Sequence, residues 1–212
     1  MNLREDMGGA PSCMKSRPID HRGFYVPWFV TEKTDDGLWD FQVVTPSRRN
    51  EAIRKNLCWV SGQELGVYQA FVIGPMCTIN RVAGDPPVKR EVGLWSAMVC
   101  PFLSRPLAKR PEISRPRMKD PHMVEGNPGL CAVWVTKNYR LSDRAPVFHL
   151  GYPESLTWFT KGRKATKKEV SDGFALGADR LLRIAAEEEQ GASMECHRMI
   201  NAAAKMIGII KP

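Results

Sequence analysis

A chain of 212 residues, 43% of them hydrophobic, carries enough apolar side chains for a packed core, which argues against disorder throughout. Its formal charge of +8 draws it toward polyanions and places nucleic acid among the candidate partners. Apolar runs such as Ala70 to Ile73 and Val133 to Val135 fall far short of the roughly 20 residues that span a bilayer, and Met1 to Cys13 lacks the apolar stretch of a signal peptide.

These features predict a cytoplasmic protein with no membrane contact. Its six cysteines, Cys13, Cys58, Cys77, Cys100, Cys131 and Cys196, read as thiols in a reducing compartment rather than a disulfide framework.

In chain order, Phe24 to Val30 is aromatic and β-branched but interrupted by Pro27, which predicts an edge or bulged strand. Asp35-Asp36-Gly37 is a turn signal, and Trp39 to Val44 supplies a partner, so a β-hairpin is expected. Ser47 is positioned to cap a short helix over Arg48 to Leu57. Gly62 and Gly66 mark a turn leading into a buried strand at Tyr68 to Ile73. Asp85-Pro86-Pro87 then predicts a helix from Val88 to Cys100, where Pro101 stops it.

Leu130 to Thr136 and Val147 to Leu150 are strand candidates expected to pair with each other. Thr166-Lys167-Lys168-Glu169 fits a capping box opening a helix to about Gln190, with Gly191 as its C-cap. Ser193 is expected to cap a second helix, and residues 166–208 read as a helical hairpin. The whole chain reads as one α+β domain, 1–212, with a small mixed or antiparallel sheet.

Two turns carry candidate metal chemistry: Cys13-Met14-Lys15-Ser16 and Cys58-Trp59-Val60-Ser61-Gly62. In a zinc knuckle, two cysteines three apart hold the metal from one tight turn, and two such turns complete a tetrahedral site. Each turn here keeps its first cysteine and has serine at the second position. Two thiolates hold zinc weakly, because a neutral hydroxyl is a poor ligand beside them. Cys13 and Cys58 are the candidate metal ligands, alternatively small core residues in turns held by hydrogen bonds. No cofactor is expected from this pattern, zinc being the group it would suit.

Ser16 to Val30, Leu57 to Asn80 and Cys100 to Pro106, with the surroundings of Trp134 and Trp158 to Val170, resemble an uncharacterised family of phage-encoded and bacterial proteins. Its members carry Cys-x-x-Cys at the first turn and Cys-Trp-x-Cys-Gly at the second. The resemblance implies an ancestral metal-stabilised fold modified at Ser16 and Ser61, with a bacterial host cell as its setting.

A second constellation is the segment Pro101 to Pro121, with prolines at 101, 106, 111, 116 and 121 and the cations Arg105, Lys109, Arg110, Arg115, Arg117 and Lys119. Such proline density excludes regular helix and central strand. An extended arm of this kind can lay cations along a phosphate backbone, or pack on its own domain or on a partner subunit.

Catalytic signatures are sparse. His21, His122, His149 and His197 are isolated, and Asp20-His21-Arg22 reads as a polar turn. Adjacent Cys196 and His197 diverge by about 100° on a helix and form no dyad. Trp28, Trp39, Trp59, Trp95, Trp134 and Trp158 all sit in apolar neighbourhoods and read as core. The expected function is non-enzymatic association with nucleic acid. The alternative is a phage factor, an inhibitor of a host system or a virion component, acting through a protein partner.

Overall fold

A computed structural model describes residues 4–41, 44–104, 129–188 and 191–209. Two short 3-10 turns, Glu5–Met7 and Ser12–Met14, open the chain. Next come α1 (Pro46–Arg54), β1 (Gln69–Ile73), α2 (Pro75–Asn80), β2 (Val82–Ala83), β3 (Val88–Lys89), α3 (Arg90–Val99) and α4 (Pro101–Ser104). The second half holds β4 (Cys131–Thr136), β5 (Tyr139–Leu141), β6 (Phe148–Leu150), β7 (Ser155–Thr160), β8 (Arg163–Lys164), α5 (Lys167–Glu187) and α6 (Ala192–Met206). The protein is therefore α+β, with two antiparallel sheets ordered β3-β1-β4-β7-β8 and β2-β6-β5, and a C-terminal helical pair.

Every residue of β4 is buried, so the central strand is covered on both faces. Alternation sorts its side chains, because successive residues of a strand point to opposite faces. Cys131, Val133 and Val135 join Ala70, Val92, Trp95 and Phe159 in a core that also takes in Met14, Phe24, Cys58, Trp59 and Leu65. Ala132 and Trp134 turn the other way, toward Phe71, Ile73, Trp158 and the small-sheet residues Ala83, Phe148 and Leu150. A third cluster joins Ile79 of α2 to Phe174, Leu181 and Ala185 of α5 and to Cys196, Ala203 and Ala204 of α6.

Two glycines set how closely these layers approach. A Cβ on Gly93 would lie 3.2 Å from Ala70 and from Val88, so α3 rests nearly against the sheet. On α5, a Cβ at Gly177 would sit 2.9 Å from Pro75, which fixes the crossing of α5 over α2.

Several expectations are corrected by tertiary contacts. Phe24 to Val30 and Trp39 to Val44 do not form a two-stranded ladder among the described residues; only the single bridges Ile19↔Tyr25 and Lys33↔Trp39 appear. Pro18 and Pro27 flank the first segment and interrupt ladder donation, and its aromatic rings pack inward instead. The Asp-Asp-Gly turn does form, with Gly37 at φ +76° and Thr34 donating to Leu38. Leu130 to Thr136 does not pair with Val147 to Leu150: β4 lies between β1 and β7, while β6 lies between β2 and β5. A strand with both faces apolar belongs at the centre of the larger sheet, which removes it from a local hairpin.

Helix boundaries shift for similar reasons. Thr45, not Ser47, precedes α1, because Pro46 is suited to the first helical position. The third helix starts at Arg90, since Val88 and Lys89 are first drawn into pairing with β1. Pro101 ends α3 but opens the short α4, where its missing N–H costs nothing. Gly191, at φ +107°, caps the start of α6 rather than the end of α5, and Ser193 falls inside that helix.

The capping box appears as expected: Thr166 Oγ1 accepts from Glu169 N at 3.3 Å, and Glu169 accepts from Thr166 N at 2.8 Å. Arg163 adds an ion pair to Glu169 at 2.7 Å. The Arg163 guanidinium and the Thr166 donors hold the Glu169 carboxyl down to about 2, against an ordinary 4.5. A depressed acid stabilises the fold above its unfolded pKa and loses that contribution on protonation. Acid titration should therefore show a fall in stability between pH 4.5 and about 2 that is shallower in Glu169→Gln, read by circular dichroism.

Candidate functional site

The second Cys-x-x-Ser turn is built from its backbone outward. Gly62 N donates to Cys58 O at 2.8 Å, and Cys58 N donates to Gln63 O at 2.7 Å, which closes the loop at its base. Inside the loop, the sulfur of fully buried Cys58 accepts from Ser61 N at 3.4 Å and from Lys89 N at 3.3 Å. Two backbone amides thus fix the position of the Cys58 sulfur. Gly62 takes φ +74° at the exit, with the Trp28 ring against it, and Trp28 N donates to Val60 O at 2.7 Å.

The first turn is a 3-10 turn over Ser12–Met14, stabilised by Met14 N to Pro11 O at 2.8 Å and Arg17 N to Met14 O at 2.9 Å. Its burial of Met14 anchors the turn in the core shared with Cys58 and Trp59. Cys13 is thereby placed beside Ser61, whose side chain hydrogen-bonds it, and near Cys58. Three of the four knuckle positions, Cys13, Cys58 and Ser61, come together; Ser16 lies exposed.

Burial pushes the Cys13 thiol up, the Ser61 hydrogen bond opposes this, and the neighbouring Cys58 and Glu91 raise it further. A metal must displace that proton, so the site favours the thiol over the ligating thiolate. Burial, then Cys100, pushes Cys131 up to about 12, and burial raises Cys77 and Cys196. Among the described residues no three His, Cys, Asp or Glu side chains gather in a group that could hold a metal ion.

The turns are held by aromatic packing as well as hydrogen bonds. Phe29 stacks on Trp59 with centroids 4.9 Å apart, and Trp28 meets Trp59 edge-on at 6.4 Å. Trp59, Trp95, Trp134 and Trp158 are buried as the sequence suggested, whereas Trp28 and Trp39 are half-buried and reach the surface. Asp20-His21-Arg22 is a structural turn: buried Asp20 accepts from Arg22 N at 2.9 Å, Phe24 N at 2.8 Å and the Arg22 guanidinium at 2.7 Å. His21 points to solvent.

Cations lie over aromatic rings along the same layer, a feature that residue spacing does not reveal. Arg4 sits 4.8 Å from the Phe24 centroid, Arg22 4.8 Å from Phe41, Lys33 4.8 Å from Trp39 and Arg48 4.2 Å from Trp28. Arg17 donates to Val26 O at 3.0 Å, and its pKa is lowered by burial and then by the charge of Arg48, so two guanidiniums stand close together. Arg105, Lys109, Arg110, Arg115, Arg117 and Lys119 lie outside the described residues. No helix among the described residues is long and apolar enough to cross a membrane.

No family model, curated protein or solved structure matches the chain. The chemistry of the site thus rests on its own residues.

Gly62→Ala would bring a Cβ to 2.2 Å from Trp28 Cδ1 in a backbone region that disfavours side chains. A loss of about 1–3 kcal/mol is expected in urea denaturation. Ser61→Cys adds a third sulfur to Cys13 and Cys58, and zinc affinity measured against a chromophoric chelator should rise at least about tenfold over the parent chain.

Proposed function

We propose that the protein is a non-enzymatic, nucleic-acid-associated protein of phage or bacterial origin. The observation that carries this reading is the run of cations set over aromatic rings in the N-terminal layer. Arg4, Arg22, Lys33 and Arg48 all do this within residues 4–48. Half-buried Trp28 and Trp39 hold Arg48 and Lys33 over their faces, which sets these cations at the surface where phosphate can reach them.

The net charge of +8 supports the same reading by favouring association with a polyanion. Arg48 already pairs with Glu51 at 3.0 Å, and an anion beside Arg17 and Arg48 would offset more of their mutual repulsion. The cations of the proline-spaced segment would extend the contact along a backbone, each phosphate contact releasing counterions.

Binding to mixed DNA and RNA oligonucleotides should be strong at low salt and weaken linearly in log–log form, with a slope of roughly 0.7–0.9 per phosphate contact. Replacing Lys33, Arg48 and the six cations Arg105, Lys109, Arg110, Arg115, Arg117 and Lys119 by glutamine should flatten that slope. No binding at low salt, or a slope unchanged in this variant, would sink the proposal.

A further inference from the structure

A groove of about 270 Å³ opens where the chain enters β1 and α3, lined by Gly66, Val67, Tyr68, Lys89, Arg90 and Glu91. Its size is close to the lower end of ligand pockets, about 300 Å³, so it suits one small unit. Tyr68 is 50% exposed although it immediately precedes a strand with buried residues on both faces. Tyr68 is held in place by Lys137, which hydrogen-bonds its hydroxyl, and half of its surface stays open beside the cations of the lining.

The local fold explains why these groups converge. Gln69 pairs with Lys89 and Ala70 with Val88, so the antiparallel β1–β3 contact brings Tyr68 alongside Lys89 and Arg90. Lys137 places its ammonium 4.9 Å from the Tyr68 centroid while pairing with Glu154 at 3.3 Å, which holds the ring region electropositive but partly neutralised. Glu91 is the acidic member of the lining, and its charge acts on Cys13, so it borders the groove on the side of the Cys-x-x-Ser turns. At Gly66 an added Cβ would meet nothing within 4 Å, so the mouth of the groove is open there.

We propose that this groove holds one nucleotide unit of a nucleic-acid strand, its base stacked on Tyr68 and its phosphate against Lys89 and Arg90. The inference rests on the nucleic-acid reading and assigns that reading a specific contact. Base stacking on an aromatic ring tolerates any base, so the contact adds affinity without sequence preference. Lys89 and Arg90 differ in role: the guanidinium can take a phosphate with two parallel donors, whereas the ammonium acts as a point charge.

The test is fluorescence anisotropy of labelled oligothymidylate and oligoadenylate with the full chain at low salt. A competition arm uses adenosine monophosphate and inorganic phosphate. Tyr68→Ala should weaken strand binding roughly tenfold and Tyr68→Phe should retain it, since stacking needs the ring and not the hydroxyl. Gly66→Leu should weaken binding by filling the groove, with the fold intact because that position faces open space.

Lys89→Gln with Arg90→Gln should reduce the salt slope by roughly 1.4 or more for single strands. If the parent chain binds strands and both Tyr68→Ala and Gly66→Leu bind equally well, the groove is refuted while the nucleic-acid reading stands. Binding of the mononucleotide alone, without strand binding, overturns both. So does an absence of oligonucleotide binding at low salt.

Discussion

The burial of β4 on both faces is the constraint from which the rest of the structure follows. A strand whose six residues are all buried cannot stand at an edge or face water on one side, so it needs neighbours in its own sheet and a covering layer above and below. β1 and β7 supply the neighbours. On one face the cover is α3 with the N-terminal turns; on the other it is the small three-stranded sheet, while α2 carries the C-terminal helices. Gly93 shows how far this goes, since the helix approaches the sheet so closely that a single methyl group would contact Ala70, Val88 and Val133 together.

The paired Cys-x-x-Ser turns take their meaning from that covering layer. In a metal-stabilised knuckle the ion supplies the cohesion, and loops need little packing of their own. Here packing and hydrogen bonds hold both turns. Trp28 presses on Gly62, Phe29 stacks on Trp59, and the Cys58 sulfur is held by two backbone amides, one of them from β3. Met14 carries the first turn into the same core. Ser61 bridges the two turns with a hydroxyl and an amide, where a second sulfur would otherwise ligate. The turns therefore join the N-terminal segment to the sheet by hydrogen bonds and aromatic contact.

The surface of this layer has a different character from its interior. Its rings are large enough to be buried at one edge and exposed at the other, and their open faces attract cations through the ring quadrupole. Arg48 over Trp28 and Lys33 over Trp39 are of this kind. Placed this way, and for Arg48 also held by Glu51 at 3.0 Å, the cations are oriented in advance, which lowers the ordering cost of binding a further anion. The Tyr68 groove repeats the pairing at the far end of β1, with β-sheet register rather than loop packing as the device that assembles it.

What the sequence determined by itself is local and short-range. The capping box at Thr166 and Glu169, the turn at Gly37, the buried strands near Ala70 and Val133 and the two C-terminal helices all follow from spacing, turn chemistry and helix caps, which act within a few residues. The serine-for-cysteine pattern at residues 16 and 61 was legible too, but not that Ser61 joins Cys13 and Cys58 while Ser16 stays outside.

Tertiary structure decided everything that depends on competition between distant partners. Whether β4 pairs with β6 or with β1 and β7 turns on the burial of both its faces, and residues 131–136 read the same in either case. Phe24 to Val30 has the composition of a strand, yet its rings gain more by packing on Trp59 and Trp95 than its backbone gains from a ladder broken at Pro27. The cation–ring pairs and the convergence of Tyr68 with Lys89 and Arg90 likewise join residues far apart in the chain, and side-chain chemistry without three-dimensional register carries no record of them.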